Sequence, residues 1–298
     1  RKIYMIYDEE YMNENYDRLI KTDTYLKTFI SKVNVPIYKD GKMIATVKSG
    51  KDIALYDYED YIENNKYYFN NFENVRLNHI SKNTVDKVKL DIKNGLKNTI
   101  SSQIRMIHIL KIIDDERFEF KGKNRKIERW TKNNHDKINF EILTEYKKLD
   151  DVIELLDFWG KNKAKENGGM SFHGYDKNFF NQYYKNNKEK LGDDFISLFF
   201  YHNNRLVGLE LLERTSNDFW ILHTRKCDRI NYPNLTLYAD IYGFRMILEK
   251  YKIPYYVNIG FETGKRCLYK SKRFETYSEF KSFHLKFEKK KNIITTII

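Results

Sequence analysis

Residues 195–227, FISLFFYHNNRLVGLELLERTSNDFWILHTRKC, carry three apolar runs separated by two short polar breaks. Phe195–His202 runs into the turn Asn203-Asn204, and Arg205–Arg214 resumes the apolar pattern. Thr215-Ser216-Asn217 breaks it again before Asp218–Cys227. Apolar, β-branched and aromatic runs of this length between turn residues predict a three-stranded antiparallel meander.

The flanking sequence extends the pattern in both directions. Downstream, a loop at 228–234 leads into an amphipathic helix over 235–252. IPYYVNIG (253–260) follows, almost continuously apolar, as a strand buried on both faces should be. Lys265, Arg266, Lys270, Lys272 and Arg273 then make a basic helix, and FKSFHLKF (280–287) reads as a last strand. Upstream, INFEILT (138–144) is a strand candidate. Leu149 to Lys165 is an amphipathic helix with Asp150 and Asp151 in its first turn, where carboxylates suit the helix dipole. It ends at Asn167-Gly168-Gly169, and a second helix is expected over 176–190.

The N-terminal part reads as mixed α and β. VPIYKDGKMIATVK (35–48) places apolar segments on both sides of Asp40-Gly41, a hairpin signal. Residues 56–72 are polar and aromatic with weak helical periodicity. Residues 84–113 show apolar positions near helical spacing, interrupted at Gly95, which predicts one broken helix or two. A polar, basic bridge at 114–136 separates the halves. The expected division is an N-terminal mixed domain over 1–115 and a C-terminal domain over 116–298.

The net charge of +12 favours anionic partners, and AT-biased codon usage is a competing source of the many lysines. Cys227 and Cys267 are the two cysteines, too few for a disulfide framework and without metal-ligand spacing around them. No metal site is expected. No apolar run approaches a membrane span and no secretory leader is visible, so a cytoplasmic protein is expected.

From about Ile138 to Phe287 the order is strand, two helices, meander, helix, strand, basic helix, strand. It resembles the GNAT acyltransferase superfamily. The tail is similar to the FemAB/FemX-like aminoacyl transferases, which are built from two tandem GNAT domains. The residues that carry this are Asn258-Ile259-Gly260, Thr263-Gly264-Lys265 and the run Leu268 to Phe274, with KNRKIERWTKNN standing as the entry helix of a second domain. The resemblance implies an α/β (α+β) fold, a GNAT-like mixed sheet flanked by helices, in two tandem domains with the first degenerate. It also implies transfer of an acyl or aminoacyl group onto an amine.

One departure bears on the donor. Acetyl-CoA-dependent members hold the pyrophosphate on a glycine-rich loop and the following helix N-terminus. Here the corresponding residues 225–234, RKCDRINYPN, contain no glycine, and Pro233 lacks an N–H. The resemblance therefore implies aminoacyl-tRNA as donor, with an acyl-CoA as the lesser expectation. A nucleic acid, tRNA or DNA, is the expected partner, either as donor carrier or as the modified acceptor, alongside an amine-bearing acceptor. The alternatives are an acetyl-CoA-dependent N-acetyltransferase of a small molecule or protein, and a non-catalytic GNAT-like nucleic-acid-binding module.

In this fold the site lies where the strands at 218–227 and 253–260 separate. Strand alternation puts His223 and Arg225 on one face, and histidine titrates near neutrality as a base requires. Glu210 and Glu213 fall on opposite faces of their strand, so one of them can relay a proton. Asp228 at the mouth is a second base candidate. Tyr238 lies one turn from Tyr242 on a shared helix face, and a tyrosine near this cleft resembles the family's general acid, with a place in the core as the competing reading. His173 and Tyr175 lie where acceptor-binding loops fall, and Arg225, Asn258, Lys265, Lys270 and Lys272 are expected to bind substrate.

Overall fold

A computed structural model describes residues 35–39, 42–48, 51–55, 69–93, 99–112, 139–166, 180, 194–252, 255–262 and 278–288. The chain divides into two compact units, one of residues 1–106 with 280–298 and the other of residues 107–279.

In the first unit the Asp40-Gly41 signal is met by a hairpin, β1 (Val35–Lys39) antiparallel to β2 (Lys42–Lys48). β2 pairs antiparallel with β3 (Asp52–Leu55), β3 parallel with β4 (Asn74–Ile80), and β4 antiparallel with β11 (Ser278–Glu288). Helix α1 (Lys82–Lys93) starts at Ser81, whose hydroxyl accepts from Thr84 N and fills the N-cap role. Val85 and Val88 of α1 pack with Ile53, Leu55, Val75, Leu77, Leu285 and Phe287 into this unit's core.

Residues 99–112 correct the expectation of a second helical segment: they form strand β5 (Thr99–Ile112). The run is rich in β-branched residues (Thr99, Ile100, Ile104, Ile107, Ile109, Ile112), whose stiff side chains favour extended backbone over a helix. Helical spacing of apolar positions was coincidental there. The 56–68 segment and the helix expected over 176–190, apart from the helical and buried Phe180, lie outside the described residues.

In the second unit the meander is as expected: β7 (Phe195–His202), β8 (Arg205–Ser216) and β9 (Phe219–Cys227) pair antiparallel in succession. Asn203 and Asn204 both take left-handed backbone, φ 51° and 59°, which asparagine tolerates and which matches the strands' twist. Short β6 (Glu141–Leu143) pairs with β7, giving the order β10-β9-β8-β7-β6 within this unit. Helix α3 (Leu235–Tyr251) crosses over from β9 to β10 (Tyr255–Glu262), which is parallel to β9. A crossover is required there because a hairpin cannot join parallel neighbours.

The two faces of the meander are covered by different helices. Ile196, Leu198, Phe200, Leu212, Trp220 and Leu222 meet Leu237, Phe244 and Ile247 of α3. The other face meets α2 (Leu149–Glu166), and there Phe199 packs against Phe180 and Tyr146. The Tyr201 hydroxyl anchors the start of α2, accepting from Lys147 N and donating to Asp151.

Candidate active site

β9 and β10 pair at Tyr256↔Phe219, Val257↔Trp220 and Asn258↔Ile221. The register ends there, yet β9 continues to Cys227 and β10 to Glu262. Asn258, buried, is the last residue of β10 paired with β9 and marks the fork.

Beyond the fork, β9 carries a bulge in its pairing with β8. Leu211 pairs with Thr224 and Leu212 with Leu222, which leaves His223 as the extra residue. The bulge overturns the expectation that His223 and Arg225 share a face, because one added residue inverts the alternation beyond it. Glu210 and Glu213 do lie on opposite faces, three positions apart on β8.

On one face, His223 Nε2–H donates to Glu213 Oε2 at 2.5 Å. Both side chains are nearly sealed, 2% and 8% exposed. A carboxylate on Nε2 fixes the ring orientation and makes Nδ1 the proton-accepting nitrogen, the usual way a positioned imidazole base is built.

On the α3 face, Arg225 donates to Asp240 of α3, and Glu210 lies opposite Arg225 in the ladder. Glu210 is fully buried and neither carboxylate oxygen has a hydrogen-bond partner. Burial pushes its carboxyl up to about 7, with the Arg225 guanidinium pulling the other way. Glu210 fits there because residue 243 is glycine: a Cβ would stand 2.6 Å from Glu210 Oε1. Cys227 lies in the same cluster, its thiol pushed up to about 12 by burial. Tyr255, also buried, donates its hydroxyl to Phe244 O.

The remaining candidates have varied surroundings. Asp228 is buried and works within its own loop: its Oδ1 accepts from Asn231 N, its Oδ2 accepts from Asn231 Nδ2, and Arg205 lies 3.6 Å away. Tyr238 is half-buried in an aromatic cluster, 5.4 Å from Phe140, 6.1 Å from Phe200 and 6.2 Å from Tyr242 between ring centroids. The structure thus gathers His223, Glu210 and Arg225 onto adjoining stretches of β8 and β9, with Asn258 at the fork. His173, Tyr175, Lys265, Lys270 and Lys272 lie outside the described residues.

Several amides of the loop that would cradle a CoA pyrophosphate, and of the helix start after it, are bonded internally. Asn231 N bonds Asp228 Oδ1, Tyr232 N bonds Asp228 O, Leu235 N bonds Tyr232 O, and Leu237 and Tyr238 N both bond Asn234 O. Asn234, at φ 73°, provides no side-chain cap. With Pro233 lacking an N–H, the loop does not fit a pyrophosphate held by backbone donors.

No family model matches the chain, and no curated protein sequence does. Solved structures do match in fold. A conserved protein of unknown function from Bacteroides thetaiotaomicron superposes with TM-score 0.60 at 14% identity, covering 95% of this chain and 98% of that one. L-PGS from Bacillus licheniformis matches with TM-score 0.54 at 11% identity, covering 97% and 94%. FemX matches with TM-score 0.51 at 11% identity, covering 94% and 96%. The chain shares its fold with L-PGS and FemX, and the likeness runs across nearly its whole length.

Sequence reasoning left Glu213 unassigned as the partner of His223, because the bulge that brings them together leaves no composition signal. Asp240 and Gly243 were legible in principle. A charge and a glycine inside an otherwise apolar helix interior signal a buried partner and a close approach. Among the described residues no group of His, Cys, Asp and Glu could hold a metal ion, and no helix is long and apolar enough to cross a membrane.

Proposed function

We propose that this chain is a transferase that moves an aminoacyl group from a nucleic-acid carrier onto an amine. The observation that supports this reading most is the fork of β9 and β10, with the His223–Glu213 pair at its bulged edge. His223, oriented by Glu213, takes the proton as the acceptor amine attacks the donor's ester carbonyl. The amide C–N bond forms, the ester C–O bond breaks, and the proton leaves on the carrier's hydroxyl.

The internally bonded loop over 228–234 favours an aminoacyl ester over a CoA thioester as donor. GNAT-like relatives support acyl transfer at the coarse level, and the carrier is the finer part of the proposal. The basic segments at 121–132 and 265–273, outside the described residues, and the tail FEKKKN (287–292), of which only Phe287 and Glu288 are described, would supply phosphate contacts.

The test is incubation with radiolabelled aminoacyl-tRNA and with radiolabelled acetyl-CoA, in separate reactions, with a panel of primary amines as acceptors. Label transferred from the tRNA alone is the expected result. Label transferred from acetyl-CoA alone would reverse the donor assignment, and no transfer from either would defeat the enzymatic reading.

A further inference from the structure

The α2 face of the meander carries a second cluster that the transfer step leaves unused. Lys226 Nζ sits 3.5 Å from the centroid of the Trp159 ring. One residue earlier on α2, the Phe158 ring lies 5.3 Å from the Arg205 guanidinium, and the Arg205 side chain is 51% exposed. Both aromatic rings are only half-buried. Arg225 and Cys227 face α3, so strand alternation turns Lys226 to the side of α2, the side on which His223 meets Glu213. Lys226 follows His223 by three strand positions, roughly 10 Å at the usual rise.

Two aromatic faces, each covered by a cation, thus border the end of β9 beyond the fork. An indole face holding an ammonium is electron-rich and also suits a stacked nucleobase, which any sequence can supply. A lysine beside the ring also brings positive charge to the phosphate of a base stacked there. The geometry points to a subsite for an unpaired nucleotide, with its base stacked on Trp159 and its phosphate held by Lys226, and with Arg205 placed for the next phosphate. The inference deepens the carrier reading given above and rests on it for the direction of the ester, which would extend from the base toward His223. The single-stranded end of a nucleic-acid carrier and the adenosine phosphate of CoA share this chemistry.

The experiment is equilibrium binding by the full chain, measured by fluorescence anisotropy of a labelled single-stranded RNA tetranucleotide. Unlabelled acetyl-CoA and a blunt RNA duplex serve as competitors. The expected result is single-strand binding weakened about 10- to 100-fold in Trp159→Ala and largely retained in Trp159→Phe, which keeps a stacking face. Lys226→Gln should weaken binding and flatten the dependence of log K on log salt by about 0.7. Competition by acetyl-CoA, coupled to loss of its binding in Trp159→Ala, would keep the subsite and assign it to CoA. Wild-type RNA affinity in both Trp159→Ala and Lys226→Gln would overturn the proposal, as would equal competition by the duplex. Because binding is read without turnover, Trp159-dependent binding with no aminoacyl transfer would defeat the proposed function and leave the subsite standing.

Discussion

Strands β8 and β9 carry two acid–base clusters, one on each face, built from the same residue types with opposite outcomes. On the α2 face Glu213 accepts from His223, so that carboxylate has a donor and the imidazole has a fixed orientation. On the α3 face Glu210 lies opposite Arg225, yet the guanidinium bonds Asp240 and both Glu210 oxygens are left without a hydrogen bond. The first arrangement holds the imidazole in one orientation, as the proposed base requires. The second stores a desolvated carboxyl whose protonation is coupled to the stability of the fold. Residue type does not separate the two roles; satisfaction of hydrogen bonds in a dry environment does.

The largest expected effect tests the first cluster. His223→Ala should lower transfer about 100- to 10,000-fold, the range for losing a positioned base, while circular dichroism shows an unchanged fold. Glu213→Gln, which retains a hydrogen-bond acceptor but no charge, should cost less than His223→Ala. Wild-type turnover in His223→Ala would remove the pair from the chemistry and erase the contrast between the faces.

The second cluster is tested by pH. The folded-state carboxyl of Glu210 titrates near 7 against an ordinary 4.5, so the folded chain holds this proton more tightly than the unfolded chain. Its contribution is therefore complete below pH 4.5, declines as pH rises toward 7 and is then constant. The loss is about 3 kcal/mol across that window. Urea midpoints measured from pH 4.5 to 7.5 should show this decline in the parent and a flatter profile in Glu210→Gln. Parallel profiles would mean that the carboxyl is solvated.

Gly243→Ala sharpens the same side of the comparison. Its Cβ would sit 2.6 Å from Glu210 Oε1 and 3.1 Å from Leu212 Cδ1, so destabilisation of about 1–3 kcal/mol is expected from overpacking. Adding Glu210→Ala should recover part of it, since the nearer obstruction is then gone, and a fully additive double mutant would contradict the contact.

The smallest effect concerns Asp228. Asp228→Ala removes the acceptor for two Asn231 donors and should cost about 1–2 kcal/mol of stability. Turnover per folded molecule should be unchanged, because its oxygens hold the loop together. A loss of turnover with stability intact would instead bring Asp228 into the reaction.

Much of this architecture was written in local patterns. The meander, the Asn203-Asn204 turn, the crossover helix and the final strand each follow from apolar runs bounded by turn residues, which need no distant partner to be legible. Residues 99–112 were misread because their apolar spacing fits a helix loosely, whereas the density of isoleucine favours a strand. Placing Tyr238 beside Tyr242 on α3 was equally local, since helix geometry alone brings residues one turn apart together.

The site divides along the same line. The sequence by itself determined which strands bound the fork, that the loop before α3 lacks glycine, and that Glu210 and Glu213 face apart. Only the tertiary structure decided that a bulge isolates His223, that Glu213 rather than Glu210 meets it, and that Arg225 turns to Asp240. The reason is physical. Periodicity follows from the backbone geometry of a single segment, but a bulge and a buried ion pair depend on the register between strands and on the helix packed against them.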